Sequence, residues 1–360
     1  MKKIALGLMV VAVPLLSGCS MPKIPGVSSG PSVSFVRSSD GGVTFESKTA
    51  VDEKTNFSSA EVISIAMNPQ DTRNIFVGTR ESGMFVTDNS GDSWRKIIYP
   101  PTRIYGLVID SSNPQHLFAT GEWEGRGKIY QSGDAGANWN EVYTEPAIGT
   151  VITTLAQDPF NPQVVYAGTS AGMVIRTNDG GATWKNIVFT PTMSGKIIRK
   201  IVFETHQSNA IYFLVDGKGV FVSDGEKIVT DPTAASGAIA SAVTGTTPVG
   251  TGSAVSLALD PGRSGVVYAG LAKGLLRSND FGKTWEALNV IESSKKFPVG
   301  GIAVNPKNSD EIAYVSALTL YKSTDRGVSW STHQIVSDKS ANFLQYDPYD
   351  PNIMYVGFKK

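Results

Sequence analysis

The chain has 360 residues, with 32 Lys+Arg against 32 Asp+Glu and a formal net charge of zero. At 18% charged residues it lacks both the basic excess that nucleic-acid binding needs and the charge density of a disordered chain, which excludes those two classes. A single cysteine excludes an internal disulfide and a zinc site built on cysteines. With 37 Gly and 19 Pro and no collagen period, the composition favours a turn-rich all-β protein.

The first predicted element is a processing signal over residues 1–18. Two lysines precede an apolar run from Ile4 to Leu16, and the small residues Ser17 and Gly18 follow it. At about 1.5 Å per residue, this run is too short to cross about 30 Å of hydrocarbon as a helix. We therefore expect a cleaved signal peptide.

The end of this signal, Leu16-Ser-Gly-Cys19, resembles the lipobox of bacterial lipoproteins. The resemblance implies a lipid on Cys19, with an ordinary secretory signal as the alternative. It also favours the outer membrane in a cell with two membranes, because Ser20 is not the aspartate that retains lipoproteins in the inner membrane. Residues 19–32 are rich in Pro, Gly and Ser, and we interpret them as a lipidated tether with a reach of about 45 Å.

The body of the chain is a repeat. Five of the six tryptophans end the same octapeptide, and a sixth copy ends in Phe45. The copies begin at Ser38, Thr87, Ser132, Thr177, Ser278 and Ser323. Their closing aromatic residues lie 49, 45, 45, 101 and 45 residues apart. The gap of 101 predicts two repeats plus an insertion at 231–253, because a degenerate copy begins at Gly219 and lacks the Thr-Trp ending.

A second unit, a short strand with Phe or Tyr near its centre, occurs seven times. These strands begin at Ile75, Leu117, Val165, Ile211, Val267, Ala313 and Met354. Four short strands per repeat of about 45 residues predict the blades of a β-propeller. The folded part begins at Val33 with the last two strands of a unit and ends with the first two. We therefore predict one all-β domain over 33–360, a closed ring of seven four-stranded antiparallel blades.

The octapeptide, Ser/Thr-x-Asp-x-Gly-x-Thr-Trp, resembles the Asp-box or bacterial neuraminidase repeat. This repeat is shared by sialidases, xyloglucan-degrading hydrolases, sortilin-like receptors and photosystem II assembly factors. The resemblance implies a hairpin between the third and fourth strands of a blade, on the face opposite the usual ligand pocket. In such a turn the Asp would accept backbone N–H groups and the Gly would take a positive φ. We therefore interpret the following residues as structural and not catalytic: Asp40, Asn89, Asp134, Asp179, Asp280 and Asp325.

Candidate ligand-binding residues fall in the loops predicted for the other face. They are Arg80, Arg103, Glu122, Trp123, Glu124 and Arg126. Trp123 is the only tryptophan outside an octapeptide, and it stands between two carboxylates in what we expect to be a Gly-rich loop, 121–127. A stacking ring beside hydrogen-bonding carboxylates suits a sugar or a peptide. The alternative is a solvated loop whose tryptophan packs on its own blade.

No catalytic site is predicted. The chain lacks the Arg-Ile-Pro signature of sialidases, and the resemblance places the cleft of xyloglucan-degrading enzymes between two propellers, whereas this chain has room for one. The histidines, His116, His206 and His333, have no metal-ligand spacing, and we expect no metal and no cofactor. We predict a non-catalytic binding or assembly scaffold in the cell envelope. The alternative is a carbohydrate-active protein, either a sialidase-like or other glycoside hydrolase or a glycan binder.

The predicted partners follow from this. The membrane would be contacted through the lipid anchor, and the folded domain would bind an envelope protein or a glycan, with no nucleic acid. The sequence leaves the oligomeric state open.

Overall fold

In a computed structural model of the protein, residues 32–187, 193–206, 210–223, 228–230, 254–291 and 297–360 are described. Within these ranges the chain forms 28 β-strands and no α-helix, and hence no helix that is long and apolar enough to cross a membrane. The predicted signal segment, Cys19, residues 20–31 of the tether and the predicted insertion at 231–253 lie outside the described residues.

The described strands form seven antiparallel sheets of four strands each, which are the blades of a propeller. Blade 1 contains β3 to β6 (Val62–Met67, Ile75–Thr79, Met84–Thr87, Arg95–Ile97) and blade 2 contains β7 to β10 (Leu107–Ile109, Leu117–Trp123, Arg126–Ser132, Asn140–Thr144). Blade 3 contains β11 to β14 (Ile152–Gln157, Val165–Thr169, Val174–Thr177, Lys185–Ile187) and blade 4 contains β15 to β18 (Ile198–Phe203, Ile211–Val215, Gly219–Ser223, Ile228–Thr230). Blade 5 contains β19 to β22 (Ala254–Leu259, Val267–Leu271, Gly274–Ser278, Glu286–Ala287) and blade 6 contains β23 to β26 (Val299–Asn305, Asn308–Ser316, Thr319–Ser323, Ser331–Gln334). The all-β, seven-bladed prediction is confirmed.

Blade 7 joins the two ends of the folded chain. It consists of β27 and β28 (Ser340–Tyr346, Met354–Lys359) followed by β1 and β2 (Phe35–Ser38, Glu46–Ser47). β1 pairs antiparallel with β28, from Phe35 opposite Gly357 to Ser38 opposite Met354. The predicted ring closure is therefore confirmed, and it leaves no unpaired edge between the two halves of this blade.

The core lies between the blades and is built on the aromatic residue of each second strand. The largest fully buried side chains include Tyr166, Tyr212, Tyr268, Tyr314, Tyr355, Phe76 and Phe118. All of these except Tyr314 cluster with the first strand of the next blade: Phe76 of blade 1, for example, clusters with Leu107 of blade 2. Because each blade buries such a ring against its neighbour, the hydrophobic driving force, about 25 cal/mol per Å², acts around the whole ring.

The propeller has two faces. The turn between the third and fourth strands contacts the turn between the first and second strands, as when the Ser90 backbone N–H donates to the Arg73 carbonyl at 2.9 Å. These turns define the box face. On the opposite face, the loops between second and third strands meet the connections between blades, as when Gly83 N–H donates to the Thr102 carbonyl at 3.0 Å. We call this the channel face, because the first strands begin there around a central cavity.

Candidate functional site

The Asp-box turns lie on the box face and share one hydrogen-bond pattern. In the copy of blade 3, Asp179 Oδ1 accepts from the Thr183 backbone N–H at 2.8 Å and from the Thr177 hydroxyl at 2.7 Å. Asp179 Oδ2 accepts from the Thr183 hydroxyl at 2.5 Å. These bonds, above all the one from the Thr183 side chain, lower the pKa of Asp179 to about 2. Such a carboxylate is occupied by its own turn, which fits the structural interpretation of the box residues.

The same pattern recurs at Asp40, Asp134, Asp280 and Asp325. In the copy of blade 1, Asn89 takes the place of the aspartate: its Oδ1 accepts from the Ser93 N–H at 2.9 Å, and its Nδ2 donates to the Ser93 hydroxyl at 2.9 Å. An amide thus makes the turn as a carboxylate does. The glycine that follows takes a positive φ, for example 93° at Gly91, which an L side chain rarely adopts.

The segment 121–127 is a β-hairpin and not the Gly-rich loop expected from the sequence. β8 continues through Trp123, β9 begins at Arg126, and these two residues pair directly. Only Glu124 and Gly125 form the turn, with φ values of 54° and 73°. Two successive positive φ angles define a type I′ turn, whose twist matches that of the flanking strands. Trp123 is therefore held on a paired strand.

Trp123 differs from the tryptophans of the Asp-boxes in its exposure. Its side chain is 43% exposed, whereas Trp94 of the first complete box is 3% exposed. The neighbouring Ile148 is 76% exposed, and its loop is joined to the hairpin by a 2.8 Å hydrogen bond from Gly149 N–H to the Gly125 carbonyl. The hairpin and this loop together present a small apolar surface on the channel face.

Arg126 fixes that loop. Its guanidinium donates to the backbone carbonyls of Glu145, at 3.1 Å, and Pro146. These two bonds hold the connection between blades 2 and 3 against the hairpin. Among the six predicted ligand-binding residues, Arg126 therefore has a structural role: it stabilises the loop next to the hairpin.

Arg103 joins two carboxylates beside the hairpin. Its guanidinium donates to Glu122 Oε2 at 3.1 Å and lies 3.8 Å from Glu81 Oε1. The hydrogen bond with Glu122 is the main cause that raises the pKa of Arg103. Because the Arg103 and Glu81 side chains are exposed, these ion pairs contribute little stability, but they orient polar groups next to Trp123.

The two remaining candidates, Arg80 and Glu124, do not contact the Arg103 cluster. Arg80 pairs with Glu61 at 2.5 Å, on the side of blade 1 that faces blade 7, and does not join the Arg103 cluster. Glu124, in the turn, is exposed and has no ion pair or hydrogen bond with another described side chain. The structure therefore joins Arg103 to Glu122, whereas Trp123, the next residue of β8, points to the other side of the strand, and Glu124 follows in the turn.

Metal chemistry has no support in the described part of the chain. No group of three His, Cys, Asp or Glu residues there is arranged to hold a metal ion. His206 Nδ1 lies 3.0 Å from Glu204 Oε1 and His116 Nδ1 lies 3.9 Å from Asp110 Oδ2, each at a turn between first and second strands. The polar groups of the channel face can instead accept and donate hydrogen bonds to a ligand.

Sequence reasoning missed the central cavity. It encloses about 380 Å³ and is lined by the first strands of all seven blades. Two consecutive cationic residues of β15, Arg199 and Lys200, line it, and no Asp or Glu does so among the described residues. Arg199 bonds to Asp216 at 2.7 Å, whereas Lys200 Nζ donates to the backbone carbonyl of Leu257 at 2.9 Å. The available signal was the consecutive pair Arg199 and Lys200 in β15, because most of the other first strands carry Ser, Thr or Gly at the cavity.

Comparison with family models agrees with the repeats. Residues 127–234 match the model described as Sortilin, neurotensin receptor 3, and residues 275–288 match the BNR-Asp box repeat. These two segments are therefore similar to the sortilin and BNR-Asp box models. The second match covers the Asp-box turn of blade 5.

Two curated relatives are xyloglucanases. The chain is 27% identical to the xyloglucanase of Hypocrea jecorina (strain QM6a) over 127 residues, which cover 34% of this chain and 14% of that protein. It is 27% identical to a xyloglucanase of Paenibacillus sp, covering 36% of this chain and 16% of that protein. The matched segments thus span about one sixth of these relatives or less.

Solved structures share the fold at low identity. The GH74 xyloglucanase of Xanthomonas campestris superimposes with a TM-score of 0.63 and 16% identity, covering 83% of this chain and 51% of that one. YCF48 bound to D1 peptide superimposes with a TM-score of 0.59 and 13% identity, covering 84% of this chain and 93% of that one. These likenesses establish the propeller fold.

Proposed function

We propose that the protein is a membrane-anchored carbohydrate-binding propeller, whose ligand lies on a patch at the tip of the β8–β9 hairpin, which carries Trp123 and, on the other side of β8, the Arg103–Glu122 pair. The observation that carries the proposal is the exposed Trp123, fixed on a paired strand beside an oriented Arg–Glu pair. An aromatic face covers the apolar face of a sugar ring, while the charged groups accept and donate hydrogen bonds to its hydroxyls. Similarity to two xyloglucanases supports a carbohydrate ligand.

The proposal takes the carbohydrate alternative of the sequence analysis over the protein scaffold. Within that alternative the patch supports binding. Arg103 holds the Glu122 carboxylate in an ion pair, and a hydrolase needs one of two carboxylic acids free to give a proton to the leaving group. The scaffold prediction retains one supporting likeness, since YCF48 is seen with a peptide bound.

Binding is tested with xyloglucan oligosaccharides by calorimetric titration of the mature domain. Trp123→Ala should weaken binding about tenfold or more, because losing a stacking contact of about 1.5 kcal/mol has that effect. Phe160→Ala is the matched control, since Phe160 is an exposed aromatic side chain, 51% accessible, in a turn of the box face. Equal affinity of Trp123→Ala and the unmodified protein would overturn the assignment of the patch. If the unmodified protein binds no glycan, the prediction of a protein-binding scaffold is favoured instead.

Hydrolysis is tested separately with xyloglucan and reporter glycosides. We expect no turnover. Turnover that is lost in Glu122→Gln or Glu124→Gln would instead make the protein a glycoside hydrolase, with those carboxylates as its acid and base or nucleophile.

The anchor belongs to the same proposal and rests on Leu16-Ser-Gly-Cys19. The start of the described chain is fixed on the channel face: the Ser337 hydroxyl donates to the Val33 carbonyl at 2.9 Å, and Val33 N–H donates to Asp338 Oδ1 at 3.3 Å. A tether ending there would attach the lipid on the side of Trp123, within about 45 Å. Cys19→Ser should move the protein from the membrane fraction to the soluble fraction, and unchanged membrane association would contradict lipidation of this cysteine.

A further inference from the structure

In several blades, an equivalent residue of the first strand pairs with the second strand directly after a shift in register. In three blades this position pairs a small hydroxyl residue with glycine: Ser64 with Gly78, Thr154 with Gly168, and Ser256 with Gly270. In blade 4 the same register pairs Lys200 with Leu214. Both partners are large, and Leu214 is the second-strand residue that lines the central cavity.

In two of these three blades the hydroxyl at this position has a structural role that Lys200 does not repeat. The Ser64 hydroxyl donates to the Ile104 carbonyl at 2.7 Å, and the Ser256 hydroxyl to the Val299 carbonyl at 2.6 Å, so each joins its blade to the start of the next. Lys200 reaches further along the next blade, to the Leu257 carbonyl. Serine would satisfy the junction without a charge, and the lysine departs from the repeat at a cost in desolvation.

The surroundings of Lys200 leave its charge uncompensated. The Lys200 side chain is exposed in the cavity, and the protein atoms that line the cavity still desolvate it enough to lower its pKa. No carboxylate among the described residues lies within 4 Å of its ammonium group, which has three donor hydrogens and, among these residues, one acceptor, the Leu257 carbonyl. The cavity therefore holds a cation without its counter-ion.

Further positive charge lies at the same end of the cavity. Arg199 stands beside Lys200, and among the described residues one carboxylate, that of Asp216, is bonded to it. At the end of β28, the pKa of Lys359 is lowered first by burial and then by the charges of Arg199 and Arg80. An anion entering from the channel face would meet this positive field.

A second polar group in the cavity lacks a partner. Asn342, in the first strand of blade 7, donates from Nδ2 to the Val62 carbonyl at 2.9 Å, but its buried Oδ1 accepts no hydrogen bond from the described residues. Asn342 and Lys200 line the same cavity from blades on different sides of the ring. Because this oxygen has almost no accessible surface, a ligand in the cavity would bind at Lys200 and not at this group.

We propose that the central cavity is a binding site for a small organic anion, whose carboxylate or phosphate group pairs with Lys200. The volume of about 380 Å³ suits a small molecule and not a polymer. This site is separate from the patch around Trp123, and its occupancy does not depend on glycan binding.

The first test measures the melting temperature, Tm, with sodium phosphate and with sodium citrate, each against sodium chloride of equal ionic strength. At about a hundredfold excess over Kd, the better anion should raise Tm by about 3–5 °C in the unmodified protein. The same rise is expected in Lys196→Met, because Lys196 is an exposed lysine of the same face, and it should be absent in Lys200→Met. Phosphate and citrate distinguish the two acidic groups.

The second test follows Lys200 itself and does not require a destabilising variant. In protein labelled with ¹³C and ¹⁵N at lysine, the side-chain signal that is missing in Lys200→Arg identifies Lys200. The anion that raises Tm should move this signal saturably and raise the pKa of Lys200. A Tm rise that persists in Lys200→Met, no rise beyond sodium chloride with either anion, or a Lys200 signal that does not move would overturn the proposal.

Discussion

Lys339 Nζ donates a 2.6 Å hydrogen bond to the backbone carbonyl of Ser58, from a side chain that is 1% exposed. It also donates to the Ser32 hydroxyl at 3.0 Å and lies 3.8 Å from Asp338 Oδ1. One buried ammonium group thus joins the start of the folded chain, the connection into blade 1 and the connection into blade 7. Ring closure rests on this group as well as on the pairing of β1 with β28.

Lys339→Met should therefore destabilise the fold. Met fills a similar volume but donates no hydrogen bond, and hydrogen bonds from charged groups contribute about 1.5–3 kcal/mol each, part of which is offset by relief of the desolvated charge. We expect the free energy of unfolding in urea to fall by about 2 kcal/mol. Lys54→Met is the control, because Lys54 is exposed. A variant as stable as Lys54→Met would show that the strand pairing alone closes the ring.

The Asp-box carboxylates make stability depend on pH at the acidic end. Hydrogen bonds within the turns, first of all from the side chains of Thr44, Thr183 and Ser329, lower the pKa of Asp40, Asp179 and Asp325 from 3.8 to about 2. A carboxyl whose folded pKa is lowered stabilises the folded state above the unfolded value, and this contribution is lost as the pH falls from about 4 to about 2. Asp179→Asn should therefore lose less stability over this interval than the unmodified protein.

The reciprocal change supplies the control for that prediction. Asn89 already makes the turn of blade 1 without a titrating group. Asn89→Asp should add to the loss of stability between pH 4 and pH 2, measured as the urea midpoint at each pH. Parallel pH curves for all three proteins would show that the boxes do not govern the acid transition.

The sequence predicted the blade number because Asp-box chemistry is local: Ser or Thr, Asp and Gly within eight residues form the turn with one another. The sequence also predicted a loop at 121–127, because glycine enrichment is typical of loops. Of the three glycines in this segment, Gly125 lies in the two-residue turn and the other two lie in the paired strands. Contacts such as that of Arg103 with Glu122 cross between blades and depend on the packing of blade 1 on blade 2. The Lys200 position was missed because it is recognised only once the strand register is known.

The type I′ turn at the tip of the hairpin carries a residue that suits it poorly. Glu124 has a φ of 54°, where asparagine is better tolerated and Asn-Gly is the preferred pair. Glu124→Asn should raise the free energy of unfolding by about 0.5–1 kcal/mol, measured in urea. Glu53→Asn, in an exposed loop, should change it little. Because Glu124→Asn also removes the carboxylate, unchanged glycan affinity in this variant would limit the binding patch to Arg103, Glu122 and Trp123.

The close approach of neighbouring blades gives the last prediction. A Cβ at Gly168 would lie 2.7 Å from Ile198 Cγ2 and 2.8 Å from Ile198 Cβ, so Gly168→Ala overpacks the junction of blades 3 and 4 and should cost about 2–3 kcal/mol in urea unfolding. Gly217→Ala is the control: its Cβ meets no atom within 4 Å, and its φ of 67° alone costs about 1 kcal/mol.

The second variant Ile198→Ala separates overpacking from loss of backbone freedom at Gly168. Ile198→Ala removes Cγ2 but keeps Cβ, which lies 2.8 Å from the added methyl group, so Gly168→Ala should cost less in its presence than alone, with a coupling of about 1 kcal/mol in the double-mutant cycle. Additive effects of the two changes would mean that the contact with Ile198 Cγ2 is not the reason for the cost of Gly168→Ala.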